Sequence, residues 1–219
     1  MNDGVMDDRV HLVSLDAGKP LRATLRDRLA RPRNPRPHSD YDLNPGMRTE
    51  TPAVKLRQAG VLIPIVERPE GATIVLTRRP DHMRDHAGQI AFPGGRVDAN
   101  DSGPVDAALR EAEEEIGLPR KLVEIVGELD SYETRTGFLI TPVVGVLAPG
   151  FDPKPDPTEV ADVFEIPLDL VLDPKNHQRQ SREWRGTLRH FYVVPWENYY
   201  IWGATAGMLV QFYRRLSEN

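Results

Sequence analysis

Residues 93–118 read PGGRVDANDSGPVDAALREAEEEIGL, and this stretch decides how the whole chain is interpreted. It opens on a glycine pair, passes through a polar loop and continues into a helical pattern. Ala108, Ala112 and Ile116 recur at i, i+4 and i+8, which predicts one buried helical face. Gly117, with a proline two residues later, ends the helix in the usual way. The stretch therefore predicts a glycine turn, a loop and an amphipathic helix.

This helix carries an unusual density of acidic residues. Four carboxylates lie within five residues, at Glu111, Glu113, Glu114 and Glu115. The first, third and fourth share one face by i+3 and i+4 spacing, so they repel one another, and acids near a helix C-terminus also oppose the helix dipole. Two interpretations follow from these residues alone. The helix is either a solvated acidic surface or a rigid set of hard oxygen ligands that suits Mg²⁺ or Mn²⁺.

The neighbouring residues favour the metal site. Arg110 can reach Glu114 at i+4 and orient it, and the glycine pair Gly94–Gly95 can bring backbone groups close to a phosphate or a metal. The stretch from Gly95 to Leu118 resembles the Nudix box. Its second half, REAEEEIGL over residues 110–118, matches that motif throughout.

The first half of the motif departs from the general pattern. Asp101 stands where the motif has its first glutamate, and eight residues rather than seven separate it from Arg110. One residue has been inserted. A longer loop of this kind is associated with the coenzyme A branch of the family, so it narrows the assignment.

The resemblance implies a fold and a set of site residues. The fold would be α+β, a Nudix-type α/β/α sandwich with a central mixed β-sheet. Glu111, Glu114 and Glu115 would bind Mg²⁺ or Mn²⁺, together with the backbone carbonyl of Gly95. The motif does not fix which carboxylate takes the proton from the attacking water: Glu115, Glu114 and Glu159 are candidates, and a surface acid is the alternative for Glu159.

Residues 76–95, LTRRPDHMRDHAGQIAFPGG, are similar to the motif that marks coenzyme A pyrophosphatases, although Pro80 replaces a small Ser or Ala. Arg79 and Arg84 fall in register with it. Arginine reads phosphate oxygens well because its planar fork donates two parallel hydrogen bonds and keeps its charge. We therefore expect Arg79, Arg84, Gly94 and Gly95 to bind the substrate, with surface ion pairs as the alternative for the arginines.

The rest of the chain is expected to form one domain with an added arm. Residues 1–47 are predicted to be an N-terminal arm with a short helix and a Pro/Arg-rich linker, and residues 48–219 the Nudix domain. Six arginines crowd residues 21–37, so the arm either packs a leucine stripe on the body or meets an anionic partner. A hairpin is predicted from residue 59, and Trp202 is expected in the core, with adenine stacking or lining of a pantetheine groove as alternatives.

Composition limits the remaining classes. The 219 residues contain no cysteine, so disulfides, thiolate catalysis and cysteine-ligated zinc are excluded. No secretory pattern or membrane-length apolar run is readable, so we expect a cytoplasmic address and no membrane partner. A net charge of −5 disfavours a general nucleic-acid binder. A homodimer stays open.

The leading hypothesis is metal-dependent hydrolysis of coenzyme A or acyl-coenzyme A to 3′,5′-ADP and (acyl-)4′-phosphopantetheine. The second is a Nudix pyrophosphatase for another nucleoside diphosphate derivative, such as ADP-ribose or NADH. A third is a Nudix fold that only binds a ligand, and a fourth is nucleic-acid binding through residues 21–37. All but the last share the same predicted carboxylate helix.

Overall fold

The computed structural model describes residues 19–48, 56–83, 86–148, 150–184 and 186–217. The α-helices within them are α1 Leu21–Leu29, α2 Pro104–Ile116, α3 Leu168–Leu172 and α4 Gly203–Ser217. The strands are β1 His38–Ser39, β2 Arg57–Arg68, β3 Gly71–Arg78, β4 Ile90–Ala91, β5 Gly94–Arg96, β6 Val123–Glu128, β7 Tyr132–Glu133, β8 Phe138–Leu147, β9 Asp162–Pro167, β10 Gln178–Trp184, β11 Thr187–Trp196 and β12 Tyr199–Trp202. Short 3₁₀ turns occupy Pro45–Met47, Arg120–Leu122 and Pro174–Asn176.

The centre of the molecule is a mixed sheet built on the predicted hairpin of β2 and β3. The two strands pair antiparallel through Ile65–Arg68 and Gly71–Ile74. On its other side β2 pairs in parallel with β8, from Arg57 opposite Phe138 onward. Both β2 and β8 are long apolar runs buried on both faces, as expected for strands that have a parallel neighbour and helices on each side. The predicted mixed sheet is confirmed.

The sheet splits beside the hairpin. The first part of β2 pairs with β5, where Ala59–Val61 face Gly94–Arg96, whereas its last part pairs with β3. The far end of β3 instead pairs with β4, and β9 pairs along the other edge of β3 from Thr73 to Arg78. The ends of β2 and β3 therefore diverge, and the glycine strand β5 lies beside the opening between them.

Helices cover both faces of this sheet. The helix α2 buries Ala108, Ala112 and Ile116 in one core cluster, together with Leu62 of β2. The helix α4 buries Phe212 and its apolar neighbours in a second cluster on the other face. Alternation along β2 supplies side chains to both clusters, because successive residues of a strand point to opposite faces. This arrangement confirms the α+β sandwich with a central mixed sheet.

A second sheet, with strand order β10, β11, β12, leads into α4. Here the expectation that Trp202 packs in the core is wrong, because 41% of its surface is exposed. Trp202 is the last residue of the edge strand β12 and packs edge-on against Phe191, with ring centroids 5.6 Å apart. At the edge of the sheet the indole packs against Phe191 and stays partly exposed. The hydrophobicity of tryptophan alone therefore did not predict whether Trp202 is buried.

The segment before the central hairpin packs on the same face as α4. Leu25 and Leu29 of α1 are buried in that cluster. A Cβ at Gly127 of β6 would come within 2.6 Å of the Leu29 Cβ, so this glycine allows α1 to approach the sheet closely. Further along, β1 adds to the sheet as a parallel neighbour of β7. The described residues contain no helix with both the length and the apolar character that a membrane crossing requires.

Candidate active site

The helix α2 is held rigidly against β2. Pro104 occupies its first turn, where a missing N–H costs nothing, and Gly117 ends it in the left-handed conformation at φ 64°. A Cβ at Gly60 would collide with the Pro104 carbonyl, so glycine is needed where the helix meets the strand. The start of α2 is therefore fixed by backbone contact, and the carboxylates two turns later lie on a rigid element.

Three carboxylates converge near the opening of the sheet. Oxygen atoms of Glu111, Glu115 and Glu159 all lie within 4.8 Å of one another. Glu159 comes from the loop before β9, and Glu111 and Glu115 come from α2. Glu114 lies outside this cluster and is exposed, with its Oε2 3.0 Å from Nη1 of Arg110. The structure thus brings together two of the three predicted helical ligands and adds Glu159, while a ligand role for Glu114 stays a prediction.

The glycine strand β5 forms the wall next to these carboxylates. The backbone N–H of Gly94 donates to Oε2 of Glu115 at 3.1 Å. A Cβ at Gly95 would overlap the carboxylate of Glu111. Only glycine leaves room there for a carboxylate beside the main chain, so the glycine pair belongs to the site, although it lies in a strand rather than in the predicted turn.

Burial sets the electrostatics of the cluster. Glu115 is only 5% exposed, and burial raises its pKa to about 8, although the Gly94 N–H and the charge of Arg79 act in the opposite direction. Burial also raises the pKa of Glu111, against the effect of Arg110. A buried carboxylate next to two others is costly unless a positive charge offsets it. The oxygen-only donor set, its charge and the space beside Gly95 fit a hard divalent cation.

Arg110 connects the carboxylates to the preceding loop. Its Nε and Nη2 each donate to one oxygen of Asp101 at 3.0 Å, and its Nη1 lies 2.9 Å from Glu111 and 3.0 Å from Glu114. The Asp101 side chain is 3% exposed, so this two-pronged pair is shielded from solvent. Sequence reasoning left the role of Asp101 open. In the structure Asp101 binds Arg110, and Arg110 contacts Glu111 and Glu114. The residue inserted between Asp101 and Arg110 does not prevent this contact.

Of the two arginines predicted to bind phosphate, Arg79 lies within the described residues. Its backbone N–H donates to Gln89 O at 2.9 Å, which fixes the loop after β3. Its Nε is buried and has no hydrogen-bond partner among the described residues. A buried donor without a partner is uncommon and costs free energy, so this atom is suited to an acceptor supplied by a ligand. Arg84 lies outside the described residues.

A groove leads away from the carboxylates. It has a volume of about 390 Å³, and its lining includes Gly94, Arg79, Asp40 and Trp202. Apolar side chains from β8 and α4, among them Phe138, form much of its wall. The contribution of Asp40 was missed by sequence reasoning, because no local pattern connects residue 40 with the glycine strand and the carboxylates, which lie more than fifty residues later.

The fold and the site define a hydrolase that acts on phosphorus-containing anhydrides. The chain belongs to the Nudix family, since the family model described as the NUDIX domain matches residues 56–185, more than half of the chain. The NudL proteins of Salmonella paratyphi B and Salmonella typhimurium, each described as an uncharacterized Nudix hydrolase, are 42% identical to it over 167 residues. That match covers 76% of this chain and 85% of each relative.

Solved structures show lower similarity. A MutT/nudix family protein from Enterococcus faecalis is 15% identical, with a TM-score of 0.48 over 78% of this chain and 66% of that one. The Nudix domain of Shewanella oneidensis NrtR, solved with ADP-ribose, is 18% identical, with a TM-score of 0.42 over 61% of this chain and 84% of that one. The family assignment therefore depends on the family model and the Salmonella relatives.

Proposed function

We propose that this protein hydrolyses the diphosphate linkage of coenzyme A or acyl-coenzyme A, releasing 3′,5′-ADP and (acyl-)4′-phosphopantetheine. The observation that carries this proposal is Arg79, whose buried Nε has no partner among the described residues. Arg79 lines the groove that begins at Gly94, and the N–H of Gly94 is bonded to Glu115 of the carboxylate cluster. A phosphate bound there would contact the arginine and lie beside the cluster.

The motif around Arg79 supports coenzyme A as the substrate class. Residues 76–95 are similar to the coenzyme A pyrophosphatase motif, and the two arginines in it, Arg79 and Arg84, are suited to the phosphates that distinguish coenzyme A from simpler nucleotides. Pro80, the main departure from the motif, is buried. It follows the arginine and biases it toward an extended backbone, which is compatible with the end of a strand.

The carboxylates supply the remaining chemistry. Glu111 and Glu115 would hold Mg²⁺ or Mn²⁺, with the Gly95 carbonyl and Glu114 as further candidate ligands. A divalent cation there would neutralise the diphosphate and lower the pKa of water. Glu159 is exposed, lies on a loop and has a carboxylate oxygen within 4.8 Å of the other two, so it is the base that we assign to the attacking water.

The test is a substrate panel. The purified full chain is incubated with coenzyme A, acetyl-coenzyme A, ADP-ribose, NADH and dinucleoside polyphosphates, in Mg²⁺ or Mn²⁺, and products are identified by mass. We expect 3′,5′-ADP and 4′-phosphopantetheine from coenzyme A and no turnover in EDTA. Selective cleavage of ADP-ribose would replace the coenzyme A assignment, and no turnover on any substrate would contradict hydrolysis.

The arginines are tested by substrate preference. Arg84→Ala should lower the preference for coenzyme A over dephospho-coenzyme A, which lacks the 3′-phosphate, by about tenfold, the value of one charge-assisted contact. Arg79→Lys keeps the charge but loses the fork, so kcat/KM should fall on both substrates. Arg78→Lys, one residue earlier, is the matched control. An unchanged preference in Arg84→Ala would show that this arginine does not read the 3′-phosphate.

A further inference from the structure

The groove has a direction that can be read from the sheet. Gly94 of β5 pairs with Val61 of β2, and Val61 pairs on its other side with Pro142 of β8. Phe138, which also lines the groove, lies four residues before Pro142 on the same strand. At about 3.3 Å per residue, the groove therefore extends roughly 13 Å along β8, away from the level of the glycine strand.

The two ends of this groove have opposite charge. Arg79 and Asp40 both line the groove. Arg79 is close enough to Glu115 of the carboxylate cluster to affect its pKa, whereas Asp40 follows β1, which pairs through β7 with the part of β8 next to Phe138. Apart from His86, these are the ionisable residues that line the groove in the described part of the chain. The wall between them is mostly apolar. A ligand with a phosphate at one end, a weakly polar middle and a hydrogen-bond donor beyond it would match these three regions.

Asp40 is held in place by groups that leave part of its carboxylate available. The Tyr132 hydroxyl donates to Oδ1 at 2.8 Å, and the backbone N–H of Arg135 donates to Oδ2 at 3.2 Å. A carboxylate offers about four acceptor positions, so one donor on each oxygen does not saturate it. Burial also raises the pKa of Asp40, because these two hydrogen bonds do not replace all the solvation that it loses.

We propose that the groove holds the pantetheine arm of the substrate and that Asp40 accepts a hydrogen bond from an N–H or O–H of that arm. The inference rests on the proposed hydrolysis of coenzyme A. The pantetheine arm is uncharged, flexible and long, and it carries two amide N–H groups and a hydroxyl. The other arm carries the 3′-phosphate, which the carboxylate of Asp40 would repel. Asp40 precedes residues 56–185, which the family model matches, so the arm before the Nudix domain completes the substrate site.

The two reaction products test this assignment separately, because each carries only one arm. Binding of 4′-phosphopantetheine and of 3′,5′-ADP is measured by calorimetry with Mg²⁺ on the full chain. We expect Asp40→Ala to weaken 4′-phosphopantetheine by about tenfold, the value of one hydrogen bond to a charged group, and to leave 3′,5′-ADP unchanged within twofold. Asp40→Asn keeps one acceptor without the charge and should lose about threefold.

Two further variants separate recognition from a structural role. Tyr132→Phe removes the hydroxyl that ties Asp40 to the sheet but keeps the carboxylate, so 4′-phosphopantetheine should bind as in the wild type. Asp27→Ala, which removes an exposed acid on α1 that does not line the groove, is the matched control and should leave both affinities unchanged. If Asp40→Ala unfolds the protein, as judged by circular dichroism, Asp40→Asn carries the test.

The inference is overturned by any of three results. These are equal affinities in Asp40→Ala and the wild type, equal loss for both products, or a loss in Tyr132→Phe as large as that in Asp40→Ala. Hydrolysis of coenzyme A by the wild type is measured in the same preparation. Turnover without a selective effect of Asp40 would refute the groove assignment alone, whereas absence of turnover would refute the proposed function.

Discussion

The helices α1 and α2 both carry a run of like charges, but the two runs contact different partners. On α1, Arg22 is paired with Glu67 and Glu124, and Arg26 with Glu124 again. On α2, Glu111 and Glu115 approach Glu159 instead, and burial raises the pKa of both helical carboxylates. Arg22 and Arg26 of α1 are thus paired with acids inside the protein, whereas Glu111, Glu115 and Glu159 lie against one another, an arrangement that a divalent cation would stabilise.

The comparison separates two kinds of charge run that look alike in a sequence. An arginine run that meets acids on a neighbouring strand stabilises a docked segment, and the described residues give no reason to add an anionic partner. A buried glutamate run that meets further glutamates has a cost that protonation or a bound cation can offset, so such a run is a candidate ligand site. The residues that contact a charge run, rather than the number of charges in it, show whether the run stabilises the fold or forms a ligand site.

The largest expected effect is on α2, where replacing one glutamate by the uncharged glutamine should greatly lower activity without loss of stability. Glu115→Gln keeps the shape and the hydrogen bond from Gly94 but removes the charge. We expect kcat/KM to fall by about 100- to 1000-fold, because several kcal/mol of charge stabilisation depend on the bound cation. The thermal midpoint without added metal should stay level or rise, because burial forces Glu115 to take up a proton near neutral pH and a glutamine avoids that free-energy cost.

Glu113→Gln is the matched control for this variant. Glu113 belongs to the same acidic run but is exposed and lies outside the cluster, so its activity should stay within twofold of the wild type. For both variants, kcat/KM is measured on the substrate that the panel identifies, and stability is measured by a thermal melting curve. Equal losses in both variants would mean that the run acts only through its total charge.

The second effect is on α1, where the opposite result is expected. Leu25 is fully buried between α1 and the sheet. Leu25→Ala should lower the free energy of unfolding by about 3 kcal/mol, which corresponds to roughly 6–12 °C in the melting temperature. Well below the transition, kcat should stay within twofold of the wild type. A large loss of kcat at unchanged melting temperature would show that α1 takes part in the chemistry.

The third effect concerns the connection between the loop and α2. The Arg110 guanidinium and the backbone N–H of Asp98 lower the pKa of Asp101, with Arg120 adding a weaker attraction. The ionised form therefore stabilises the fold above the unfolded-state pKa of about 3.9, and this contribution is lost as the pH falls through the lower folded-state value.

Asp101→Asn should therefore be less stable than the wild type by about 2 kcal/mol at pH 7, the value of hydrogen bonds to a charged group. The difference should persist down to about pH 5 and shrink toward zero at lower pH. Urea denaturation at several pH values measures it. A difference that is constant over the whole acid range would mean that the charge of Asp101 contributes nothing.

Local spacing was sufficient to predict α2 and the central hairpin. Both are encoded by contiguous residues: the i, i+4 stripe of Ala108, Ala112 and Ile116 became the buried face, and Gly117 ended the helix as expected. The mixed sheet was expected from the Nudix resemblance, which residues 110–118 carry. Periodicity decides such elements because each residue needs only its neighbours in sequence to show which side is buried.

Long-range contacts explain what could not be predicted. The approach of Glu159 to α2 depends on how the loop before β9 returns along β3, and the position of Asp40 depends on β1 adding to the sheet beside β7. Trp202 was expected in the core because of its hydrophobicity, but its edge position leaves it exposed. No spacing rule contains these distances, since they arise from elements brought together by the fold.

The smallest effect concerns the ion pairs of α1. The change in the free energy of unfolding tests whether the arginine-rich arm packs on the body or is free to bind an anionic partner. Glu124 accepts from both Arg22 and Arg26, and all three side chains are partly exposed. Glu124→Gln should therefore lower the free energy of unfolding by less than about 1 kcal/mol. The difference should shrink between about 0.01 M and 1 M salt, because exposed pairs are screened.

Binding to a single-stranded oligonucleotide, measured at the lower salt concentration, completes this test. If the arginines serve the fold, the wild type should not bind, and Glu124→Gln should gain only weak, salt-sensitive binding, because Arg26 loses its ion pair with Glu124 whereas Arg22 keeps its ion pair with Glu67. Glu128→Gln, which frees Arg33 further along the arm, is the matched control. Tight binding by the wild type that Glu124→Gln leaves unchanged would show that the pairs on α1 do not neutralise the arm, and the contrast with α2 would fail.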